Sequence, residues 1–353
     1  MLIKSWRMTA VKEPLVESSA ASRPLLDHEV LIEIAGCGIC HTDLGFLYDG
    51  VPTRHPLPLV LGHEISGQVV ACGQKATSWQ DQQVIVPAVM PCGTCDLCQR
   101  GRGSICPQQI FPGNDIDGGF ASHVIVPSRG LCPVPDLHSS PLELCELSVV
   151  ADAVTTPYQA VERSGLRSGQ LAVVVGIGGV GTYAVQIARA RGATVAAIDV
   201  DRDRLRRMRD FGASLTLNAK EYDSRGLKKK IRAFAKEQGL SPVEWKIFET
   251  SGTPSGQETA FSLLTHGGWL GVVGFTPEKA AIRLSNLMAL DATAQGNWGC
   301  LPELYPPTLD LILSGKVSIQ PFIEQHPMSE INQVLEALRN HEIKNRVVLI
   351  PGS

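Results

Sequence analysis

The stretch Leu171–Asp199, LAVVVGIGGVGTYAVQIARARGATVAAID, decides the fold. Its two short, continuously apolar runs, LAVVV and TVAAI, have the length and β-branched content of strands buried on both faces. Between them, VGTYAVQIARARG places Val180, Ala184, Ile187 and Ala188 on one helical face, which predicts a strand–helix–strand unit of a parallel sheet. The turn into the helix carries Gly176, Gly178 and Gly181 in the pattern G-x-G-x-x-G. There the backbone amides can approach a pyrophosphate at the positive end of the helix. Asp199 closes the second strand, where a carboxylate accepts hydrogen bonds from both ribose hydroxyls and repels a 2′-phosphate. This predicts NAD over NADP, although Arg202 and Arg204 close behind weaken the preference. Glycine turns also serve close packing, but strand, glycines, helix and acid in register favour the dinucleotide reading.

The runs WKIFET and WLGVVGF follow, so the segment from about 153 to 297 is long enough for a complete doubly wound α/β sheet. Upstream, residues 1–150 are rich in Gly and Pro, and EVLIEIAG, SGQVVACG, QVIVPAVM and ASHVIVP read as short strands in a mostly-β domain. The tail holds an amphipathic helix, SEINQVLEALRN, and a last strand, RVVLI. A chain of 353 residues, 44% hydrophobic and 19% charged, fits about two domains. MLIKSWRMTAVKEP has no apolar core of a secretion signal, and no apolar run reaches the length of about 18 residues that a membrane span needs, so the expected compartment is the cytosol. A net charge of -3 gives no basic footprint for nucleic acid.

Ten cysteines in a reducing compartment are expected as metal ligands, nucleophiles or buried apolar residues rather than disulfides. Four of them, Cys92, Cys95, Cys98 and Cys106, lie in PCGTCDLCQRGRGSIC at the spacing C-x2-C-x2-C-x7-C, with Gly93, Gly101 and Gly103 as turn formers. Four thiolates fill a tetrahedral zinc and leave no position for water, so this lobe is expected to be structural, with Arg100 and Arg102 offsetting part of its charge. The competing redox Cys-x-x-Cys reading does not account for four clustered cysteines. A second set is mixed: Cys40, Thr42 and Asp43 in GCGICHTDLG, with His63 and Glu64 in LGHEISGQVV. Sulfur, nitrogen and oxygen donors together can hold a zinc with one position open for Lewis-acid chemistry on an alcohol. Thr42 would take the hydroxyl proton and Asp43 would orient His63 through its other ring nitrogen. Taken alone, His63 would be a satisfied structural histidine and Cys40 a buried apolar residue; a dinucleotide fold beside them changes that balance.

Over essentially its full length the chain resembles the zinc-dependent medium-chain alcohol dehydrogenases. The likeness is carried by GICHTD, GHEISGQVVACG, the four-cysteine lobe, VVVGIGGVG and the closing NRVVLIP. It implies a GroES-like catalytic domain at 1–152 with the structural-zinc lobe at 92–106, a Rossmann domain at 153–297 and a segment, 298–353, that returns to the catalytic domain. It further implies two zinc ions per chain, with Cys40 and His63 as catalytic ligands, Thr42 as proton relay, and His41 and Arg346 at the pyrophosphate. Thr156, Gly179, Val180 and Arg204 join the glycine loop and Asp199 as implied cofactor contacts. The third protein ligand falls in ADAVTTPYQAV, where many relatives have cysteine and this chain has Asp152. The alternative for Asp152 is an N-cap of the following helix, and the rival ligand is Cys145. Glu64 is implied as an exchanging ligand. Where some relatives have a second relay histidine this chain has Gly45, so the proton needs another way out.

Three stretches, VIVPAVMPCGTCDLCQRGRGSIC, FPGNDIDGGFASHVIVPSRGLCPVP and GCGICHTDLGFLYDGVPTRHPLPLVLGHEISG, are similar to a narrower group in that family, the 6-hydroxycyclohex-1-ene-1-carbonyl-CoA dehydrogenases of anaerobic benzoyl-CoA degradation. That likeness implies oxidation of a cyclic secondary alcohol on an acyl-CoA. Arg54, His55 and Lys344 are cationic and could meet phosphates, although solvated surface is the plainer reading. Relatives of this length imply a homo-oligomer, a dimer or tetramer joined through the cofactor domain. A generic zinc alcohol dehydrogenase and a non-catalytic protein on the same fold are the alternatives.

Overall fold

A computed structural model describes residues 1–138 and 140–352. The chain divides into two compact units, Met1–Thr155 with Gly299–Asp310 and Ile319–Ser353, and Thr156–Trp298 with Leu311–Ser318.

The second unit is built on six parallel strands in the order Leu215–Asn218, Thr194–Asp199, Leu171–Val175, Lys246–Glu249, Trp269–Val272 and Thr293–Gly296. Numbered within the unit this order is 3-2-1-4-5-6, and it reverses beside Leu171–Val175, the place where open sheets of this kind bind ligands. Leu171–Val175 is buried along its whole length and Thr194–Asp199 from Val195 onward. Burial on both faces is why these strands show an unbroken apolar run rather than alternation.

The helix Gly181–Ala190 differs from the expected one-sided stripe. Val180 stands outside it as N-cap, and Gly181 to Ala188 are all buried. A second packing side explains this: Gln186 Nε2 donates to the Ser318 carbonyl at 3.1 Å, and Gln186 Oε1 accepts from Ser318 N–H at 2.8 Å. The same contact divides the tail, because Leu311–Ser318 belongs to this unit, whereas the sequence reading assigned all of 298–353 to the first domain.

In the first unit a seven-stranded sheet runs Ile323–Pro327, Arg346–Ile350, Glu29–Gly38, Glu64–Cys72, Gln83–Val86 and Cys132–Pro133, with His123–Pro127 also on Glu29–Gly38. Leu2–Met8 pairs with Val16–Ala21 and Leu59–Val60 in a smaller sheet. The core includes Ile32, Ile34, Ile65, Val84, Phe120 and Val347. The tail helix forms at Ile331–Arg339 and buries Ile331, Val334 and Leu335. Two registers decide the chemistry: Gly38 lies opposite Glu64, and Val348 lies opposite Gly38. They bring Cys40, His63 and Arg346, far apart in sequence, to the ends of neighbouring strands.

Candidate metal and cofactor sites

Cys40 is the N-cap of the helix His41–Tyr48, and its N–H donates to Asp43 Oδ2 at 2.9 Å. Asp43 is fully buried and its other oxygen accepts from Gly62 N–H at 3.1 Å. That oxygen also lies 3.4 Å from His63 Nδ1, an electrostatic contact without an aligned hydrogen bond. One carboxylate thus holds the backbone of one donor and orients the ring of the other. Phe111 meets the His63 ring edge-on with centroids 4.9 Å apart. Asp152 follows the short 3-10 helix Cys145–Ala151, and its Oδ2 lies 3.8 Å from Cys40 Sγ and 3.7 Å from His63 Nε2. It stands three residues ahead of the helix Thr155–Ser164 and so is not that helix's N-cap.

One donor atom from each of Cys40, His63, Glu64 and Asp152 lies within 4.8 Å of the others. The chemistry of the set fits a divalent metal. Burial opposes a charged His63, yet Asp43, Asp152 and Cys40 outweigh it and hold the imidazole well above its ordinary pKa, so the site calls for positive charge. Thr42 Oγ1 lies 3.7 Å from Cys40 Sγ, at the half-buried side of the set.

Glu64 and Arg346 bond each other beside the donor set. Arg346 Nε donates to Glu64 Oε2 at 2.7 Å, Arg346 Nη2 donates to Glu64 Oε1, and Glu64 Oε1 also accepts from Ala153 N–H at 2.9 Å. Burial alone would favour a neutral guanidinium, but Glu64, Cys40 and Asp152 raise its pKa well above the ordinary value. In this structure the two groups form a buried ion pair, with Glu64 still within 4.8 Å of the Cys40, His63 and Asp152 donors. Cys145 stays outside the donor set; burial, with Glu143 3.5 Å from its sulfur, pushes the thiol up to about 12.

The four-cysteine lobe gathers its sulfurs as expected. Sγ–Sγ distances are 3.9 Å for Cys92–Cys98, 3.5 Å for Cys95–Cys98 and 3.8 Å for Cys95–Cys106, and all four cysteines are free thiols. A tetrahedron with metal–sulfur arms of about 2.3 Å has edges of about 3.8 Å, so the spacing fits one zinc. Backbone donors surround the sulfurs. Cys95 N–H points to Cys92 Sγ at 3.3 Å, Cys92 N–H to Cys106 Sγ at 3.4 Å and Gln108 N–H to Cys106 Sγ at 3.3 Å. Arg100 turns instead to Asp96 at 2.6 Å. Backbone donors from Thr94 and Cys95 pull Cys92 down to about 5, towards the thiolate a metal needs.

In the second unit the three glycines do different work. A β-carbon on Gly181 would lie 1.8 Å from the Gly176 carbonyl oxygen, and one on Gly176 would lie 2.5 Å from the Ser251 backbone, so these two are packing glycines. A β-carbon on Gly178 would meet nothing within 4 Å. The open side at Gly178 is what a phosphate approaching the helix start requires. Asp199 is buried, with Oδ2 accepting from Ile177 N–H at 2.5 Å and Oδ1 from Asp201 N–H at 2.8 Å. A carboxylate offers about four acceptor positions, so both oxygens retain capacity for ribose hydroxyls. Arg204 is half-buried, and Thr156 is buried with its carbonyl accepting from Asn297 Nδ2 at 3.0 Å.

Of the remaining candidates, His41 and Lys344 are exposed. Arg54 Nη1 donates to Asp115 at 3.3 Å, and His55 Nδ1 lies 2.6 Å from the Pro56 carbonyl. Sequence reasoning missed Phe111, the Glu64–Arg346 pair and Tyr305, which bonds the backbone beside Asp152. No local pattern could have flagged them, since each contact joins residues distant in the chain.

Residues 26–136 match the family model of the alcohol dehydrogenase GroES-like domain, and residues 179–314 match that of the zinc-binding dehydrogenases. The chain is 31% identical over 343 residues to an alcohol dehydrogenase of Geobacillus stearothermophilus, covering 95% of each. It is 30% identical to the D-arabinose 1-dehydrogenase (NADP(+)) of Saccharolobus solfataricus over 92% of this chain and 90% of that protein. Among solved structures, the acetophenone reductase of Geotrichum candidum in complex with NAD superposes with a TM-score of 0.83 at 26% identity, covering 99% of this chain and 97% of that one.

Proposed function

The chain belongs to the zinc-binding alcohol dehydrogenase family, with the GroES-like and Rossmann folds of that family, and we propose that within it the protein uses NAD to oxidise the ring hydroxyl of a cyclic acyl-CoA, 6-hydroxycyclohex-1-ene-1-carbonyl-CoA, to the ketone. Zinc and a nicotinamide dinucleotide are the family's cofactors. The observation that carries dehydrogenation is the mixed sulfur, nitrogen and oxygen donor set of Cys40, His63, Glu64 and Asp152 in a chain that also has an open glycine loop at Gly178.

A zinc held by Cys40, His63 and Asp152 would supply Lewis acidity toward an alcohol oxygen. The chain's own residues do the rest. Asp43 fixes the Cys40 backbone and the His63 ring, and Thr42, beside Cys40, accepts the hydroxyl proton. Gly45 offers no imidazole to carry that proton further, so Thr42, at the half-buried side of the set, would have to hand it on without a second side-chain relay at that position. Phe111, packed on His63, keeps the donor set on an apolar wall. Asp199 gives the preference for NAD, as its carboxylate would repel a 2′-phosphate. His41, Thr156, Gly179, Val180 and Arg204 complete the proposed cofactor contacts, and the lobe zinc is structural.

The acyl-CoA assignment rests on three stretches of sequence likeness and on no residue that touches CoA. The generic reading, a zinc dehydrogenase of small or aromatic alcohols, is favoured by the 31% identity to an alcohol dehydrogenase. Steady-state kinetics separate the two. Binding energy from the pantetheine arm would help to position the reacting carbon, so the free acid and the bare cyclohexenol should lose far more kcat/KM than one missing contact explains. Comparable efficiency for the thioester and the bare cyclic alcohol would leave the generic enzyme standing.

We also read the protein as a cytosolic homo-oligomer. Ten free thiols fit a reducing compartment, and the edge strand Thr293–Gly296 is exposed at all four residues, near exposed Leu284 and Met288. Among the described residues no helix is long and apolar enough to cross a membrane.

A further inference from the structure

Asp152 meets Cys40 and His63 because the backbone on either side of it is held. After it, Ala153 N–H donates to Glu64 Oε1 at 2.9 Å, and Glu64 is itself fixed by Arg346. Before it, Ala151 ends the 3-10 helix, so its carbonyl has no acceptor role left within that helix. That carbonyl accepts instead from the Tyr305 hydroxyl and from Thr155 Oγ1, the latter at 3.2 Å. Tyr305 is fully buried, and its oxygen in turn accepts from Ala88 N–H at 3.1 Å. Ala88 lies on the segment between the strand Gln83–Val86 and Cys92, the first cysteine of the lobe. The stretch leading to Tyr305 also packs on the lobe, since a β-carbon on Gly103 would lie 3.0 Å from Leu301.

We propose that Tyr305 is a positioning residue: its hydroxyl, bridging Ala88 N–H and the Ala151 carbonyl, sets the reach of Asp152 toward Cys40 and His63 and ties the open metal site to the chain entering the four-cysteine lobe. Burial holds the phenol well above its ordinary pKa, so it remains a donor. The inference rests on the reading of Cys40, His63 and Asp152 as metal ligands. Tyr305→Phe keeps the ring and removes one oxygen; Ala88 N–H then loses its acceptor, and the Ala151 carbonyl keeps Thr155 alone.

The test loads wild type and variants with zinc or cobalt(II) and measures metal content, affinity against a competing chelator, the visible cobalt–thiolate spectrum, melting temperature and NADH binding. The wild type should hold two equivalents. Tyr305→Phe should keep the lobe equivalent and NADH binding and lose only a few degrees of melting temperature through the unpaired Ala88 N–H, while affinity for the second equivalent falls roughly ten- to hundredfold and its cobalt spectrum shifts, as expected when a support of a ligand is removed. Wild-type affinity and spectrum in this variant would overturn the inference. So would joint loss of both equivalents with a lowered melting point, since Tyr305 would then only hold the fold. If Tyr305→Phe does not fold, Thr155→Val decides, because it strips the other donor from the same carbonyl: it should weaken the second equivalent and Thr155→Ser should restore it, and no change in Thr155→Val overturns the inference. A wild type with a single equivalent would instead overturn the metal reading itself and the inference with it.

Discussion

Gly38 matters for what it lacks. A β-carbon there would lie 2.1 Å from Glu64 Oε2, and Glu64 cannot yield, being held by Arg346 and Ala153. Gly38→Ala should therefore break a buried ion pair and cost about 3–5 kcal/mol, read as a lower urea midpoint at unchanged slope. An unchanged midpoint would mean that Glu64 has another resting place. His63 poses the opposite case, a side chain whose loss spares the fold's second unit. His63→Ala should abolish turnover and leave a folded, NAD-binding protein, checked by steady-state rates and cofactor fluorescence. Full turnover in that variant would remove the open donor set from the chemistry.

At the level of elements, the lobe is a loop with little core of its own: Cys92, Cys95 and Cys98 are only half-buried and its helix Asp96–Gln99 is a single turn. An ion bound by its four sulfurs would supply that order, as metal binding in comparable sites carries about 10–16 kcal/mol. Cys98→Ser should lower the melting temperature and open residues 92–106 to proteolysis, measured by calorimetry and mass spectrometry. A variant as resistant as the wild type would show that the lobe folds without its metal. The strand Thr194–Asp199 makes a separate claim, on cofactor choice. Asp199→Gly should narrow the preference for NAD over NADP in kcat/KM by removing the repulsion toward a 2′-phosphate. Equal use of both cofactors by the wild type would exclude Asp199 as the selecting residue.

On the scale of the molecule, the four-thiolate set and the mixed Cys40, His63, Glu64 and Asp152 set differ in ligands, so metals bound at the two should be lost separately. Stepwise chelation is expected to end turnover with the first equivalent while far-ultraviolet circular dichroism holds, and to lower thermal stability only with the second. Simultaneous loss of activity and fold at one equivalent would contradict two independent sites. The lobe and the glycine loop were legible in the sequence because their residues are close in the chain; the mixed set, spread over residues 40 to 152, was not legible as a whole. The cysteines of the lobe span one loop, and the glycine pattern lies between two strands whose continuous apolar character betrays burial on both faces. The helix Gly181–Ala190 was legible as a helix but not in its burial, because Leu311–Ser318 returns to pack on it through Ser318 and Gln186.

The sequence by itself determined the parallel α/β unit, the mostly-β unit and the four-sulfur lobe, since periodicity, glycine placement and the spacing of neighbouring cysteines are local properties of the chain; Asp152, 112 positions from Cys40, was implied only by the family resemblance. Only the tertiary structure decided what those ligands lean on. The register of Gly38 with Glu64 and Val348, the commitment of Arg346 to Glu64, and the Tyr305 hydroxyl beside Asp152 join residues separated by up to hundreds of positions. Such pairings follow from strand order and from the need of each buried polar group for a partner, and neither is written in any short stretch of sequence.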